Sequence, residues 1–246
     1  MARLDAHLVA VGAARSRERA REAVAAGLVR VNGAVARKAS KAVGPDDEVA
    51  CAGEAHDYVG RGALKLAAAL DGFCLDPEGH VCLDLGASTG GFTEVLLRRG
   101  AARVYAVDVG HGQLARTVAD DPRTVNLERT HARDLDRALV PEPVGLLVCD
   151  VSFISLTKAL PPALALCMPG AACVALVKPQ FELGPARLGK GGVVREAPEA
   201  LETWLQAEIV PWFESRGWSV LGTMPSPITG GDGNTEFLLG ACLGPA

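Results

Sequence analysis

No two cysteines in this chain stand at Cys-x-x-Cys spacing, and their total, seven, is odd. That argues against a disulfide framework and against a zinc ribbon, and makes a reducing cytosol the expected setting. His56, His111 and His131 show no metal-ligand spacing, so no metal is expected. The start, Met1-Ala2-Arg3-Leu4-Asp5, does not read as a signal peptide, because an acid interrupts the apolar run. Residues Ala159 to Val177 carry no charge and approach the ~20 residues of a membrane span. Pro161, Pro162 and Pro169-Gly170 interrupt that run, which is therefore expected to form a helix, Ala163 to Met168, and a strand, Cys173 to Val177. A basic amphipathic helix with an aromatic face, as membrane lysis would need, is also missing.

What is present suffices for one large domain and a small one: apolar residues make up 49% of 246. The net charge of −4 hides an asymmetry, because residues 1–50 carry nine Lys/Arg against six Asp/Glu while the rest is acidic. A basic module in front of an acidic domain points to a polyanionic partner. In that module Leu4, Leu8 and Val11 recur at helical spacing, with Gly12 as a stop. Ser16 is placed to cap a second helix that ends by Gly27. Leu28 to Val31 alternates as a strand, and Asn32-Gly33 is a favoured hairpin turn. Asp47-Glu48-Val49 supplies one more short strand. Arg3, Arg15, Arg17, Arg19, Arg21, Arg37, Lys38 and Lys41 cluster in these fifty residues and are the candidate RNA contacts.

The stretch RLDAHLVAVGAARSRERAREAVAAGLVRVNG resembles the RNA-binding domain of the ribosomal protein S-four type. The resemblance implies recognition of structured RNA through the second helix and the hairpin. Residues 51–59 read as a linker, and a second domain is expected over 60–246.

That domain alternates strands and helices. Strands are expected at Val81–Leu85, Val104–Asp108, Leu146–Asp150, Cys173–Lys178, Trp218–Met224 and Glu236–Cys242. Helices are expected from Ala63, Phe92 and Leu156, near Leu114, and over Ala200–Phe213. The alternation predicts an α/β fold, a parallel sheet with helices on both faces. Between its first strand and helix lies Asp84-Leu85-Gly86-Ala87-Ser88-Thr89-Gly90-Gly91-Phe92, a glycine-rich turn of the kind that admits a nucleoside cofactor. The turn lacks the Gly-x-x-x-x-Gly-Lys-Ser/Thr of a phosphate-binding loop, which argues against ATP. It is no clean Gly-x-Gly-x-x-Gly either, which argues against NAD. Gly86-x-x-x-Gly90 after Asp84 matches the form found in S-adenosylmethionine enzymes. Asp84, Gly86, Ser88, Gly90, Gly91, Phe92 and Asp108 are the candidate cofactor residues, with Asp108 on the ribose hydroxyls. Asp134 is a candidate for the adenine amino group or a helix-capping acid.

Ligands of open α/β sheets sit outside the carboxyl ends of the strands. Asp150 and Lys178 follow apolar runs at such ends. Glu236 begins the last strand and reaches the same edge if that strand is antiparallel. Lys65 sits among apolar neighbours in the helix before the first strand. Two lysines and two acids fit methyl transfer to a ribose hydroxyl, a poor nucleophile that needs a base, and a lysine serves when burial and a nearby cation favour its neutral form. An Asn/Asp-Pro-Pro-aromatic motif of amino-methylating enzymes is absent from Asp150-Val151-Ser152-Phe153. Gly189-Lys190-Gly191-Gly192 with Arg195 reads as a mobile loop near the site, either a contact for substrate phosphate or a solvated turn.

The tetrad Lys65, Asp150, Lys178, Glu236 is similar to the Lys-Asp-Lys-Glu set of the RrmJ/FtsJ-like ribose 2′-O-methyltransferases. GRGALKL, DVSFISL, VKPQFE, GKGGVVRE and SPITGGDGNTEFLL look like the hemolysin A (TlyA) family. The resemblance implies a Rossmann-like methyltransferase sheet, S-adenosylmethionine as cofactor, ribosomal RNA as partner, cytidine 2′-O-methylation in the cytoplasm, and Lys178 as base. A base methyltransferase, a non-catalytic RNA-binding protein and a membrane-lysing hemolysin are the competing readings.

Overall fold

The computed structural model describes residues 1–53, 55–230 and 233–245. The chain divides into two compact units, Met1–Asp57 and Tyr58–Ala246.

In the first unit, β1 (Ala2–Arg3) leads into α1 (Leu4–Ala10), and α2 (Arg17–Ala25) follows. Ser16 caps α2 as expected, its Oγ accepting from the Arg19 amide at 3.2 Å. Then come β2 (Val29–Val31), β3 (Ala34–Val35), β4 (Ala42–Val43) and β5 (Val49–Cys51). Asn32 and Gly33, with φ of 52° and 77°, turn β2 into β3. β2 lies between β3 and β5, while β1 pairs with β4. Leu4, Leu8, Ala20, Val24, Val29, Val31 and Val43 form this unit's own core. β5 runs through Cys51, one residue into the stretch read as linker.

The second unit contains α3 (Gly62–Gly72), β6 (Val81–Leu85), α4 (Gly91–Arg98), β7 (Arg103–Asp108), α5 (Arg116–Ala119), β8 (Thr124–Glu128) and β9 (Val144–Cys149). It continues with α6 (Leu156–Leu164), β10 (Cys167–Val177), α7 (Pro179–Glu182), α8 (Pro198–Trp204), α9 (Val210–Glu214), β11 (Trp218–Pro225) and β12 (Phe237–Leu243). The seven strands lie in the order β11-β12-β10-β9-β6-β7-β8. β8, β7, β6, β9 and β10 are parallel, and β12 is antiparallel to both its neighbours. All six residues of β9 are buried, as the centre of a sheet covered on both faces requires. Leu66, Leu70, Phe92, Leu96 and Val118 from α3, α4 and α5 pack one face. Leu156, Leu160, Leu201 and Phe213 from α6, α8 and α9 pack the other. The fold is thus the expected α/β sheet with helices on both faces, preceded in sequence by a small α+β unit.

Two local expectations need correction. α6 starts at Leu156 as expected but runs on through Pro161 and Pro162 to Leu164, so no separate helix stands at Ala163–Met168. Burial of Leu156, Ala159, Leu160 and Ala163 along one stripe offsets the hydrogen bonds those prolines cannot make. Pro169-Gly170 does not end an element either: β10 passes through it with a register shift between Cys167 and Ala172. β8 was not foreseen, because Thr124-Val125-Asn126-Leu127-Glu128 is a half-buried edge strand with little apolar signal.

Candidate active site

The carboxyl ends of β6, β7, β9 and β10 converge on one edge of the sheet. The turn after β6 bends sharply at Gly86, whose φ is 91°. A Cβ there would fall 2.5 Å from the Asp150 carbonyl oxygen, so only glycine lets the β6 and β9 ends approach this closely. The Asp150 amide in turn donates to the Leu85 carbonyl at 2.9 Å. Gly90, with φ of 92°, caps α4, and a Cβ on Gly91 would lie 3.1 Å from the Ala63 nitrogen. Gly90, Gly91 and the buried Phe92 therefore shape and pack the turn.

A cavity of about 670 Å³ opens beside it, walled by Gly86, Ser88, Asp108, His131, Asp150 and Phe153 among others. Asp108 stands at the end of β7. Its Oδ2 accepts from the Ser88 amide at 2.8 Å and its Oδ1 from the Gly110 amide at 2.6 Å, which fixes the carboxylate in the wall. Asp84 is fully buried beneath the turn. Its Oδ2 accepts from Thr93 Oγ1 at 2.6 Å, while its Oδ1 has no partner. Desolvation above all, opposed by the Thr93 hydrogen bond and reinforced by the Asp150 charge, pushes its carboxyl up to about 7. Asp134 lies on the 3-10 turn Ala132–Asp134, exposed, with Arg133 Nε 3.6 Å away.

The four charged residues form two pairs. Lys178 Nζ lies 2.5 Å from Asp150 Oδ1, and it donates to Ser152 Oγ at 2.9 Å. Lys65 Nζ donates to Glu236 Oε2 at 2.5 Å, across 171 positions of sequence. Because β12 is antiparallel, Phe237 pairs with Val177, and Glu236 stands at the Lys178 end of the sheet. Lys65, Lys178 and Glu236 are buried and Asp150 is partly so. Ser152 was not foreseen as a partner of Lys178, since a serine after a strand end carries no distinct signal. Phe153 holds φ of 65°, a costly conformation for a bulky residue, and is 90% exposed at the cavity with its ring 5.1 Å from that of Phe181. Cys149 is buried in β9, and burial pushes its thiol well above the ordinary range.

The Lys190–Arg195 segment is tethered rather than a free loop. Asn234, itself buried, accepts from the Val194 amide at 2.9 Å and donates to the Gly192 carbonyl at 3.2 Å. Lys190 and Arg195 are exposed on it. Asn234 lies two residues before Glu236, so this loop and the second acid share one support.

In the first unit Arg3, Arg15, Arg17, Arg21, Arg37, Lys38 and Lys41 are exposed. Arg19 is a correction: it is buried, with Nη1 2.8 Å from His56 Nδ1 and 3.3 Å from Glu22 Oε2. Its helical phase turns it away from Arg17 and Arg21, into the unit's own packing.

No helix among the described residues is long and apolar enough to cross a membrane, and no cluster of potential metal ligands occurs among them. Residues 58–242 match the FtsJ-like methyltransferase family, and residues 2–49 match the S4 domain. The 16S/23S rRNA (cytidine-2′-O)-methyltransferase TlyA of Mycobacterium tuberculosis is 45% identical over 97% of this chain and 88% of its own length. Hemolysin A of Brachyspira hyodysenteriae is 37% identical over 96% of this chain and 98% of its own. A solved structure from Streptococcus thermophilus, also described as a hemolysin, superposes with a TM-score of 0.74 at 40% identity, covering 98% of this chain and 88% of that one. Both halves of the architecture and the near-full-length identity agree, and the chain belongs to the hemolysin A (TlyA) family of FtsJ-like methyltransferases.

Proposed function

We propose that this protein methylates a ribose 2′-hydroxyl, that of a cytidine, in ribosomal RNA, acting in the cytoplasm. The observation that carries the reading is Lys178, buried at the end of β10 and held by Asp150 and Ser152 beside the cavity. Its Nζ donates to Ser152 Oγ and lies against the Asp150 carboxylate, which fixes the amine at the strand end. Lys178 Nζ then takes the proton of the 2′-hydroxyl as the oxygen becomes nucleophilic. Lys65 and Glu236 supply a second fixed pair at the same edge, which orients the ribose.

The cofactor site fits S-adenosylmethionine. Asp108 presents a fixed carboxylate in the cavity wall for the ribose hydroxyls, and the unpartnered Asp84 Oδ1 is an acceptor suited to the amino-acid ammonium. When bound, that cofactor supplies an electrophilic methyl group on a sulfonium. Phe153 offers an exposed aromatic face on which a base can stack. The buried thiol of Cys149 speaks against carbon methylation. The exposed cations of the first unit suit the phosphate backbone, and Lys190 and Arg195 offer further cations near the site.

The test is transfer of tritiated methyl groups to purified ribosomal subunits, followed by nucleoside analysis. Label is expected on a ribose, and label on a base, or none with either subunit, would refute the proposal. Lys178→Ala is expected to lose transfer while binding the cofactor with nearly unchanged affinity. Full activity in that variant would remove Lys178 as the base.

A further inference from the structure

Asp5 opens α1 with a side chain that has no exposed surface. What covers it is arginine. Arg3 Nε and Nη2 donate to Asp5 Oδ1 and Oδ2, both at 3.1 Å, a two-pronged contact. Arg17 Nη2 donates to Oδ2 at 3.0 Å, and Arg21 Nε to the same oxygen at 3.4 Å. Arg3 comes from β1, whereas Arg17 and Arg21 share one face of α2, so the carboxylate joins two elements. The Ala6 amide donates to Oδ1 at 2.9 Å, and the Asp5 amide donates to the Ala39 carbonyl at 3.0 Å. The acid itself is thus fixed by backbone. Hydrogen bonds from Arg3 above all, then Arg17, hold its carboxyl well below the usual carboxylate range.

The three arginines are not consumed by this contact. Their side chains stay 50%, 51% and 57% exposed. Each guanidinium carries five N–H donors and spends one or two on Asp5, so at least three on each are not taken by it. One negative charge under three positive ones leaves a net positive patch. Without the acid, three like charges this close would repel one another and sample many rotamers, which a binding partner would then have to order.

We propose that Asp5 is a positioning residue for RNA recognition: it gathers Arg3, Arg17 and Arg21 into one preorganised site for the phosphate backbone of a structured RNA. The inference rests on the RNA-substrate reading given above. It assigns to an acid, inside a basic module, a favourable role in binding a polyanion.

The sign of one substitution tests it. Asp5→Asn makes the module more positive by one charge. If the arginines acted only through summed charge, the variant would bind ribosomal subunits as tightly as the wild type or more tightly. If Asp5 gathers them, the variant binds about tenfold more weakly, and the dependence of affinity on salt becomes shallower by about one phosphate contact. Both are read by titrating the full-length protein with ribosomal subunits at several salt concentrations. Cofactor affinity and the thermal unfolding curve serve as controls for folding. Should Asp5→Asn disrupt the first unit, the double variant Arg17→Lys, Arg21→Lys decides the matter, since both positions are exposed and the charge is kept. It is expected to lose at least fivefold in affinity, because an ammonium cannot reproduce the shared fork. Binding by either folded variant at wild-type affinity or better would overturn the role of Asp5. Absence of subunit binding by the wild-type protein would instead overturn the RNA reading, and this inference with it.

Discussion

Replacing Asp84 by Asn is expected to make the cofactor-free protein more resistant to unfolding as the pH rises. In the folded chain this carboxyl is fully buried, with one oxygen on Thr93 and the other without a donor, and desolvation pushes it up to about 7. A raised folded-state value means that the native state binds the proton more tightly than the unfolded chain. Stability from this group is therefore full at low pH and is lost as the pH climbs from about 4 to about 7. The complete loss is on the order of 4 kcal/mol, more than half of it between pH 5 and 8. Asparagine resembles the protonated acid and does not titrate. Subtracting the wild-type from the Asp84→Asn unfolding free energy, by urea denaturation at each pH, cancels the other titrating groups. The difference should move in favour of the variant by roughly 2–3 kcal/mol from pH 5 to pH 8. The same variant should lose affinity for S-adenosylmethionine, because an amide cannot pair with an ammonium. Wild-type affinity should rise through pH 7, with proton release on binding visible by calorimetry in buffers of different ionisation enthalpy. A difference in unfolding free energy that stays flat from pH 5 to 8 would refute the assignment of Asp84 as a strained, cofactor-seeking acid.

Two further outcomes follow from the pairing at the sheet edge. Ser152→Ala removes the hydrogen bond that fixes Lys178 Nζ, and kcat should fall about tenfold, on the order of one hydrogen bond, with cofactor affinity unchanged; wild-type turnover would show that the Asp150 contact alone holds the amine. Glu236→Gln leaves the buried Lys65 without a counter-charge and should cost about 3–5 kcal/mol in urea unfolding, most of it recovered in the double variant Lys65→Met, Glu236→Leu; a single variant as stable as wild type would mean that Lys65 has a second partner.

Much of this site could be read from local pattern. Asp108, Asp150 and Lys178 stand where apolar runs stop, and in a parallel sheet the stops share one edge. Gly86 and Gly90 announced their left-handed turns, Ser16 its cap and Asn32-Gly33 its hairpin. The arginines of the first unit were legible as a basic cluster. Arg19 was misread with them because composition does not say which face of a helix is buried. Ser152, Phe153, Asn234 and Asp5 were silent because each acts through a partner far along the chain or through an uncommon backbone angle.

The sequence by itself determined most of the strand–helix alternation and the glycine turn, since these depend on periodicity and on backbone constraints within a few residues. Only the tertiary structure decided that Lys65 pairs with Glu236 and Lys178 with Asp150. Those partners depend on strand order and on β12 running antiparallel to β10, which no local window encodes. The tertiary structure also decided that two prolines sit inside α6, where packing of an apolar stripe outweighs local preference. It decided, finally, that one aspartate lies beneath three arginines, because β1 and α2 meet there in space.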